Sequence, residues 1–240
     1  MSDRTKGSVY QDYYANRGVT SADYEGFRLP AYLRQVLPAD RGARVLDIGC
    51  GFGSMLQALR DLGYRSLQGV DISAEAVEAS RGRGLDVTRI DDLDGYCRAS
   101  TGRFDLILMS HVLEHLDKTG IIGTLRLIRE RILAPGAALV IMVPNAQSAT
   151  GCYWAYEDFT HHTLFTAGSL QFVLRAAGFT SVEFLDPEAV ADSSPPVRWI
   201  RRALLRLYRA KLVFWNRVTG SAFHRASPQI FSFEIKVLAR

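Results

Sequence analysis

From residue 44 onward the chain alternates short β-branched or leucine-rich runs with helix-like stretches, a rhythm that builds a parallel sheet covered by helices on both faces. Strands are expected at residues 44–48, 66–71, 86–90, 104–109 and 138–143, and helices at 54–62, 74–81 and 120–132. The punctuation agrees. Gly63 closes the first helix, the Ser73 hydroxyl is placed to cap the second, and Pro135-Gly136 separates the third from the strand after it. Further on, residues 167–177 read as a helix stopped by Gly178 and residues 182–185 as a strand. The alternation FSFEIKVL over 231–238 reads as a final strand pairing antiparallel at the sheet edge.

Residues 41–185 with 228–240 form the expected core, preceded by a lid or helical segment over 1–40 and interrupted by an insertion over 186–227. The insertion opens on Ser193-Ser194-Pro195-Pro196, a break from the core pattern. In it Ile200, Ala203, Leu204, Leu207, Phe214 and Val218 fall near helical spacing, which predicts an amphipathic helix or helix pair. Between 197 and 218 stand Arg198, Arg201, Arg202, Arg206, Arg209, Lys211 and Arg217 with no acidic residue, although the formal charge of the whole chain is only +4. A hydrophobic fraction of 48% with 22% charged residues excludes wholesale disorder. No apolar run approaches the ~18 residues of a membrane span, so a cytoplasmic protein is expected, with a place at the inner face of the membrane left open. Cys50, Cys97 and Cys152 are widely spaced without a CxxC and read as reduced thiols, with neither a disulfide framework nor a metal site.

The segment Val45-Leu46-Asp47-Ile48-Gly49-Cys50-Gly51-Phe52-Gly53 ends a buried strand in GxGxG and enters a helix. Ligands of open α/β sheets bind beyond the carboxyl ends of such strands, where glycines let the backbone approach closely. Gly69-Val70-Asp71-Ile72 supplies a carboxylate at the end of the next strand, placed to accept from both hydroxyls of a ribose. A nicotinamide dinucleotide is disfavoured: its usual turn is GxGxxG, and Asp47 repels a pyrophosphate but suits a cationic amino or sulfonium group.

On LDIGCGFG, GVDIS, FDLILMSHVLEHL and ILAPGAALVIMVPN, the stretch from Arg44 to Phe179 resembles class I S-adenosylmethionine-dependent methyltransferases. The resemblance implies a Rossmann-like doubly wound seven-stranded sheet, mostly parallel with an antiparallel final strand, and S-adenosylmethionine as cofactor. It places Asp47, Gly49, Gly51 and Gly53 at the methionine end of the donor and Asp71 and Ile72 at ribose and adenine. Asp91 or Asp92 would face the adenine amino group, and Ser110, ending the fourth strand, would border the donor.

A hydroxyl acceptor must shed a proton, and histidine is the side chain suited to take it near neutral pH. Ser110-His111-Val112-Leu113-Glu114-His115 follows the fourth strand; a structural or donor-positioning role for Glu114 and His115 is expected, and no acidic partner at a defined spacing completes a metal shell. Residues 157–166, Glu-Asp-Phe-Thr-His-His-Thr-Leu-Phe-Thr, resemble a segment of methyltransferases that modify sugars and cell-surface glycans. His161 or His162 is the expected base, with Asp158 orienting it and His111 next in line; the alternative is that one histidine braces the loop. Tyr10, Tyr13 and Tyr14 either close over the donor as a lid or pack on the sheet edge. Trp154 and Tyr156 are expected to stack on the acceptor, and Arg198 and Arg202 to draw it in.

The expected reaction is O-methylation of a sugar on a surface polysaccharide or lipid-linked glycan. The alternatives are a quinone-type or phenolic acceptor and a non-catalytic donor-binding protein. The basic segment suits an anionic acceptor or a peripheral membrane contact through 197–218, and is otherwise a solvated face. Nucleic acid ranks lower, because no RNA-binding module accompanies it.

Overall fold

Seven strands, β1 (Arg44–Ile48), β2 (Ser66–Asp71), β3 (Val87–Arg89), β4 (Phe104–Ser110), β5 (Leu133–Pro144), β6 (Val182–Phe184) and β7 (Glu234–Ala239), form one sheet in the order β3-β2-β1-β4-β5-β7-β6. The computed structural model describes residues 12–240, so Tyr10 lies outside the described residues. The helices are α1 (Tyr13–Asn16), α2 (Ala31–Arg34), α3 (Ser54–Asp61), α4 (Ala74–Gly82), α5 (Leu93–Ala99), α6 (Ile121–Leu127), α7 (Gly151–Glu157), α8 (Ala167–Ala176) and α9 (Pro195–Val218).

The middle strands are apolar without alternation because helices bury both their faces. Leu106 and Leu108 of β4 join Val45, Val140 and Met142 in one core, with Leu33 and Leu59 of the covering helices. Their chain neighbours Ile107 and Met109 join Leu46, Ile141, Leu125 and Leu170 in the other. The parallel pairings run outward from β1 to β2 and β3 on one side and to β4 and β5 on the other. The carboxyl ends of β1 and β4 therefore meet at the point where strand order reverses, the crevice in which doubly wound sheets take their ligands.

Three expectations are corrected by the packing, and two short helices were not foreseen. The final strand is not at the edge: β7 lies between β5 and β6, antiparallel to both, with β6 outermost. Ile235, Val237 and Leu238 are all buried, which an exposed edge strand does not require. Pro135-Gly136 does not precede β5 but sits within it, where the register with β4 shifts after the Phe104 and Leu133 pair; a bulge near the strand start tolerates the missing proline N–H. The helix after Gly120 ends in a π-helical turn, Ile128–Ile132. Helices α5 and α7 were not expected, since seven residues carry too little periodicity to read. The α5 helix is started by the Asp92 carboxylate, which accepts from the Gly95 N–H at 2.6 Å.

Gly53 opens α3 at φ 75°, and a Cβ there would lie 2.4 Å from Leu85 Cδ1 and 3.0 Å from Ser80 Oγ. Gly53→Ala is expected to lower the unfolding free energy by about 2 to 4 kcal/mol, from left-handed strain plus overpacking. Urea unfolding measures it; a wild-type midpoint would mean that the turn reshapes freely.

Candidate active site

The donor end of the site is built by the turn after β1. The Gly49 and Cys50 N–H groups both donate to the Val70 carbonyl, at 2.8 and 3.2 Å, so the turn is folded back onto β2. Gly49, Gly51 and Gly53 have φ of 70°, 51° and 75°, and a Cβ on Gly49 would lie 2.2 Å from Val112 Cγ2. Asp71 is buried at the end of β2 and accepts from the Gly51 N–H and the Ser73 N–H, both at 2.8 Å. Two N–H bonds leave a carboxylate with acceptor capacity for a pair of hydroxyls. Ile72 is half-buried beside it.

Asp47 ends 2% exposed in this wall, and burial, with Asp71 adding like charge, pushes its carboxyl up to about 8. Near neutral pH it is largely protonated until a cation arrives. Binding of a cationic donor group is therefore expected to release a proton, and donor affinity to fall as pH drops below about 8. Calorimetry in two buffers of different ionisation enthalpy tests this, and identical heats would refute it.

Tyr13 and Tyr14 contact the donor turn and the loop after β5. The Tyr14 hydroxyl lies over the glycine turn, 2.8 Å from where a Gly51 Cβ would be, and its ring packs on Phe52 with centroids 4.6 Å apart. Tyr13 next to it donates to Asp158 Oδ2 at 2.5 Å, and Arg17 Nη1 donates to the same oxygen at 2.7 Å. Helix α1 thus bridges the donor turn and the loop after β5. Asp158 also accepts from the Thr160 N–H and hydroxyl, at 3.0 and 2.6 Å. Burial works to raise its carboxyl, but the bonds from Thr160 and Tyr13 prevail and hold it down at about 2.

This corrects the role expected of Asp158: it latches α1 and Thr160, while its Oδ2 stands 3.8 Å from His161 Nε2, too far for a hydrogen bond. His161 is oriented by a backbone carbonyl instead, its Nδ1 lying 2.6 Å from Trp154 O. A carbonyl only accepts, so Nδ1 carries the proton and neutral His161 presents its lone pair at Nε2. His162, by contrast, is exposed, and its backbone N–H donates to the Glu114 carbonyl at 2.8 Å.

His111 is the second correction. It sits at φ 54°, an unusual backbone state for a non-glycine residue, with Nδ1 3.2 Å from Glu114 Oε1 and Nε2 2.9 Å from Glu234 Oε1. Desolvation disfavours its charged form, but the bonds to Glu114 and Glu234 outweigh that and push it up to about 10. Held as a cation, it is not a base at neutral pH. His115 is shifted the other way, mainly by burial, with the neighbouring His161 adding to the effect. Its Nδ1 is 2.8 Å from Thr160 Oγ1, whose own proton goes to Asp158, so His115 donates there too.

Glu114 is fully buried, with Oε2 unpartnered among the described residues. One ligand atom each from Glu114, His115 and His161 lie within 4.8 Å of one another, a set that can hold a metal ion. The third potential ligand is a histidine from the other loop, not the acidic partner that the SHVLEH stretch lacked. Arg17 and Glu234 also belong to the site, and no motif or spacing marks them, because they reach it only through the packing of the segment after α1 and of β7.

The remaining expected residues are placed less centrally. Ser110 is half-buried at the end of β4. Asp92 is engaged as the cap of α5, and Asp91 is exposed. Trp154 packs edge-on to Tyr153 and tilted against Phe233, at 5.1 and 5.2 Å, while Tyr156 is 83% exposed. Arg198 and Arg202 brace their own helix: Arg198 donates to the Ser193 carbonyl at 3.1 Å and Arg202 to Glu188 Oε2 at 2.6 Å. A recess of about 570 Å³ between Gln35, Asp105 and Arg240 lies at the amino ends of β4 and β5, at the opposite end of the strands from all these groups.

A methyltransferase-domain model matches residues 23–183, well over half of the chain. This chain is a class I S-adenosylmethionine-dependent methyltransferase. The methyltransferase is 32% identical over 114 residues to a ubiquinone biosynthesis O-methyltransferase of Xanthomonas oryzae pv. oryzae, a match that covers 45% of the chain and 46% of the relative. A protein of the same description from Thiobacillus denitrificans is 29% identical over 102 residues, 40% of the chain and 41% of that relative. The matches span about half the length of these curated relatives. Among solved structures, an S-adenosylmethionine-dependent methyltransferase from Archaeoglobus fulgidus superposes with a TM-score of 0.62 at 25% identity, over 87% of this chain and 91% of that one. A DhpI complex with S-adenosylhomocysteine shares the fold with a TM-score of 0.59 at 15% identity, over 99% and 95% of the two chains. S-adenosylmethionine is the cofactor of the methyltransferase. Among the described residues, no helix is long and apolar enough to cross a membrane.

Proposed function

We propose that the methyltransferase O-methylates a hydroxyl on a quinone-type or phenolic ring, with His161 Nε2 accepting the hydroxyl proton. The observation that carries this is the fixed tautomer of His161: the Trp154 carbonyl holds Nδ1–H, and the proton-accepting nitrogen lies in the cluster that Tyr13 and Tyr14 connect to the donor turn. Methyl transfer from a sulfonium needs little further activation, because the leaving group is already charged and alignment dominates. Asp47, the glycine turn and Asp71 would hold the donor, and α1 would cover it. His111, cationic between two glutamates, would support the negative charge that develops as the acceptor loses its proton.

Exposed rings at the acceptor loop, Tyr156 at 83% and Phe159 at 98%, offer stacking surface for a flat ring. The names of the relatives support a quinone-type acceptor over the sugar expected from residues 157–166. The loop segment favours the sugar reading, so both belong in one assay. Purified protein is supplied with S-adenosylmethionine and a panel of catechols, prenylated hydroquinones and sugar nucleotides, and each product is scored by mass for one added methyl group. Methylation confined to sugars would reject the aromatic acceptor. No turnover on any hydroxyl, with the donor bound, would reject O-methylation.

A further inference from the structure

Helix α9 is an anomaly for a segment attached to a well-packed core: it runs 24 residues without one buried side chain. At 1.5 Å per residue it is about 36 Å long. Of the sixteen large apolar side chains exposed in the described chain, eight lie on it, among them Trp199 at 73%, Leu207 at 66% and Phe214 at 59%. It is joined to the body along one side only, where the Tyr208 ring meets Phe231 edge-on at 5.9 Å and its hydroxyl lies 3.4 Å from the Gln147 carbonyl. Arg198, Arg201 and Arg202 tie its first turns to the Ser193, Ala189 and Glu188 groups of the preceding loop.

The helical repeat sorts what is left. At 100° per residue, Trp199, Phe214, Leu207, Ile200, Val218 and Leu204 fall in one arc of roughly 140° that ends beside Tyr208 and leaves Leu212 outside it. Arg206, Arg209 and Arg217 run along one margin of that apolar face and Lys211 falls within its other side, between Ile200 and Leu204; these four cations have no partner among the described residues. An outward apolar face bearing tryptophan and lined by cations is the pattern of a helix lying in a bilayer interface. The charge chooses the lipid: four unpartnered cations on a helix with no acidic residue complement an anionic surface. A twofold pairing with a second copy would instead set the same arginines against each other. Nucleic acid would use the cations and leave the apolar face in water.

We infer that α9 docks the methyltransferase on an anionic lipid surface, with its apolar face among the acyl-chain ends of the headgroup layer and Arg206, Arg209, Lys211 and Arg217 on the lipid phosphates. Because Tyr208 touches Gln147, just before helix α7 with its Trp154 and Tyr156, docking sets that side of the molecule toward the membrane. The inference stands apart from the choice of acceptor, since it concerns binding to lipid in the absence of any acceptor.

The test is sedimentation of the full chain with vesicles of phosphatidylcholine alone and with roughly 30% phosphatidylglycerol. At about 0.1 M salt, partitioning onto the anionic vesicles should exceed that onto neutral ones at least ~10-fold and should decline toward about 0.5 M. Replacing Arg206, Arg209, Lys211 and Arg217 together by Gln should lower it at least ~50-fold, and Leu207→Ser with Phe214→Ser at least ~10-fold, because both terms of interfacial binding are needed. Unchanged S-adenosylmethionine affinity by calorimetry shows that each variant is folded. Equal binding to neutral and anionic vesicles, or wild-type binding by the quadruple variant, would overturn the inference. So would a dimer in solution that the Leu207 and Phe214 changes dissociate, in a protein that ignores vesicles, for then a second copy covers the helix.

Discussion

His161→Ala is expected to lower kcat by about 100-fold or more, the scale of a lost general base, while S-adenosylmethionine affinity stays within about twofold. The separation follows from position: His161 is fixed by Trp154 in the loop after β5, and the donor turn lies after β1. His111→Gln should lower kcat less, because His111 holds its proton through the neutral range between Glu114 and Glu234. Single-turnover rates with saturating donor measure both variants. A His161→Ala enzyme with wild-type turnover and pH profile would remove the base from this loop. Loss of activity on chelation, restored by a divalent ion, would make His161 a metal ligand with Glu114 and His115 and would reject its role as the base.

Asp71→Ala should weaken S-adenosylmethionine binding by about 1 to 3 kcal/mol, the range for losing charge-assisted bonds to a ligand. It should also destabilise the unliganded protein, since the Gly51 and Ser73 N–H groups lose the acceptor that both now use. Asp71→Asn separates the two effects. The amide oxygen can keep one of those N–H bonds but has no charge for the ribose hydroxyls, so stability should recover more than affinity. Titration calorimetry and urea unfolding read the two quantities on the same samples. Donor affinity equal to wild type in Asp71→Ala would place the ribose elsewhere.

Much of the core was legible because neighbouring residues write its geometry. The run from Val45 to Gly53 encodes a strand buried on both faces and then a turn whose positive φ angles only glycine adopts without strain. The same run implied the donor, since a buried Asp47 beside glycines suits a cation. The SHVLEH stretch and the two loop histidines were also recognisable as chemistry. Their division of labour was not: His111 and His161 differ only in what the fold sets beside them, two carboxylates in one case and a backbone carbonyl in the other.

Long-range placement explains the rest. Whether FSFEIKVL becomes an edge strand or a buried one depends on whether another strand pairs beyond it, and β6 does so from some fifty residues upstream. Asp158 was expected to serve a histidine three residues away, yet Tyr13 and Arg17, 145 and 141 residues distant, take its Oδ2 oxygen. Similarly, the arginines of α9 were legible as a charge run, but only the tertiary structure shows which are tied to the loop before the helix and that the apolar face beside them meets no core. Local periodicity, turn chemistry and the glycine motif are properties of a few adjacent residues, so the sequence alone determined the sheet, the donor turn and the methyltransferase class. Partner choice among charged side chains depends on distance and desolvation, which come into being only when the chain folds, and so the tertiary structure decided which histidine sits between carboxylates and which on a carbonyl, the latch on α1 and the exposed face of α9.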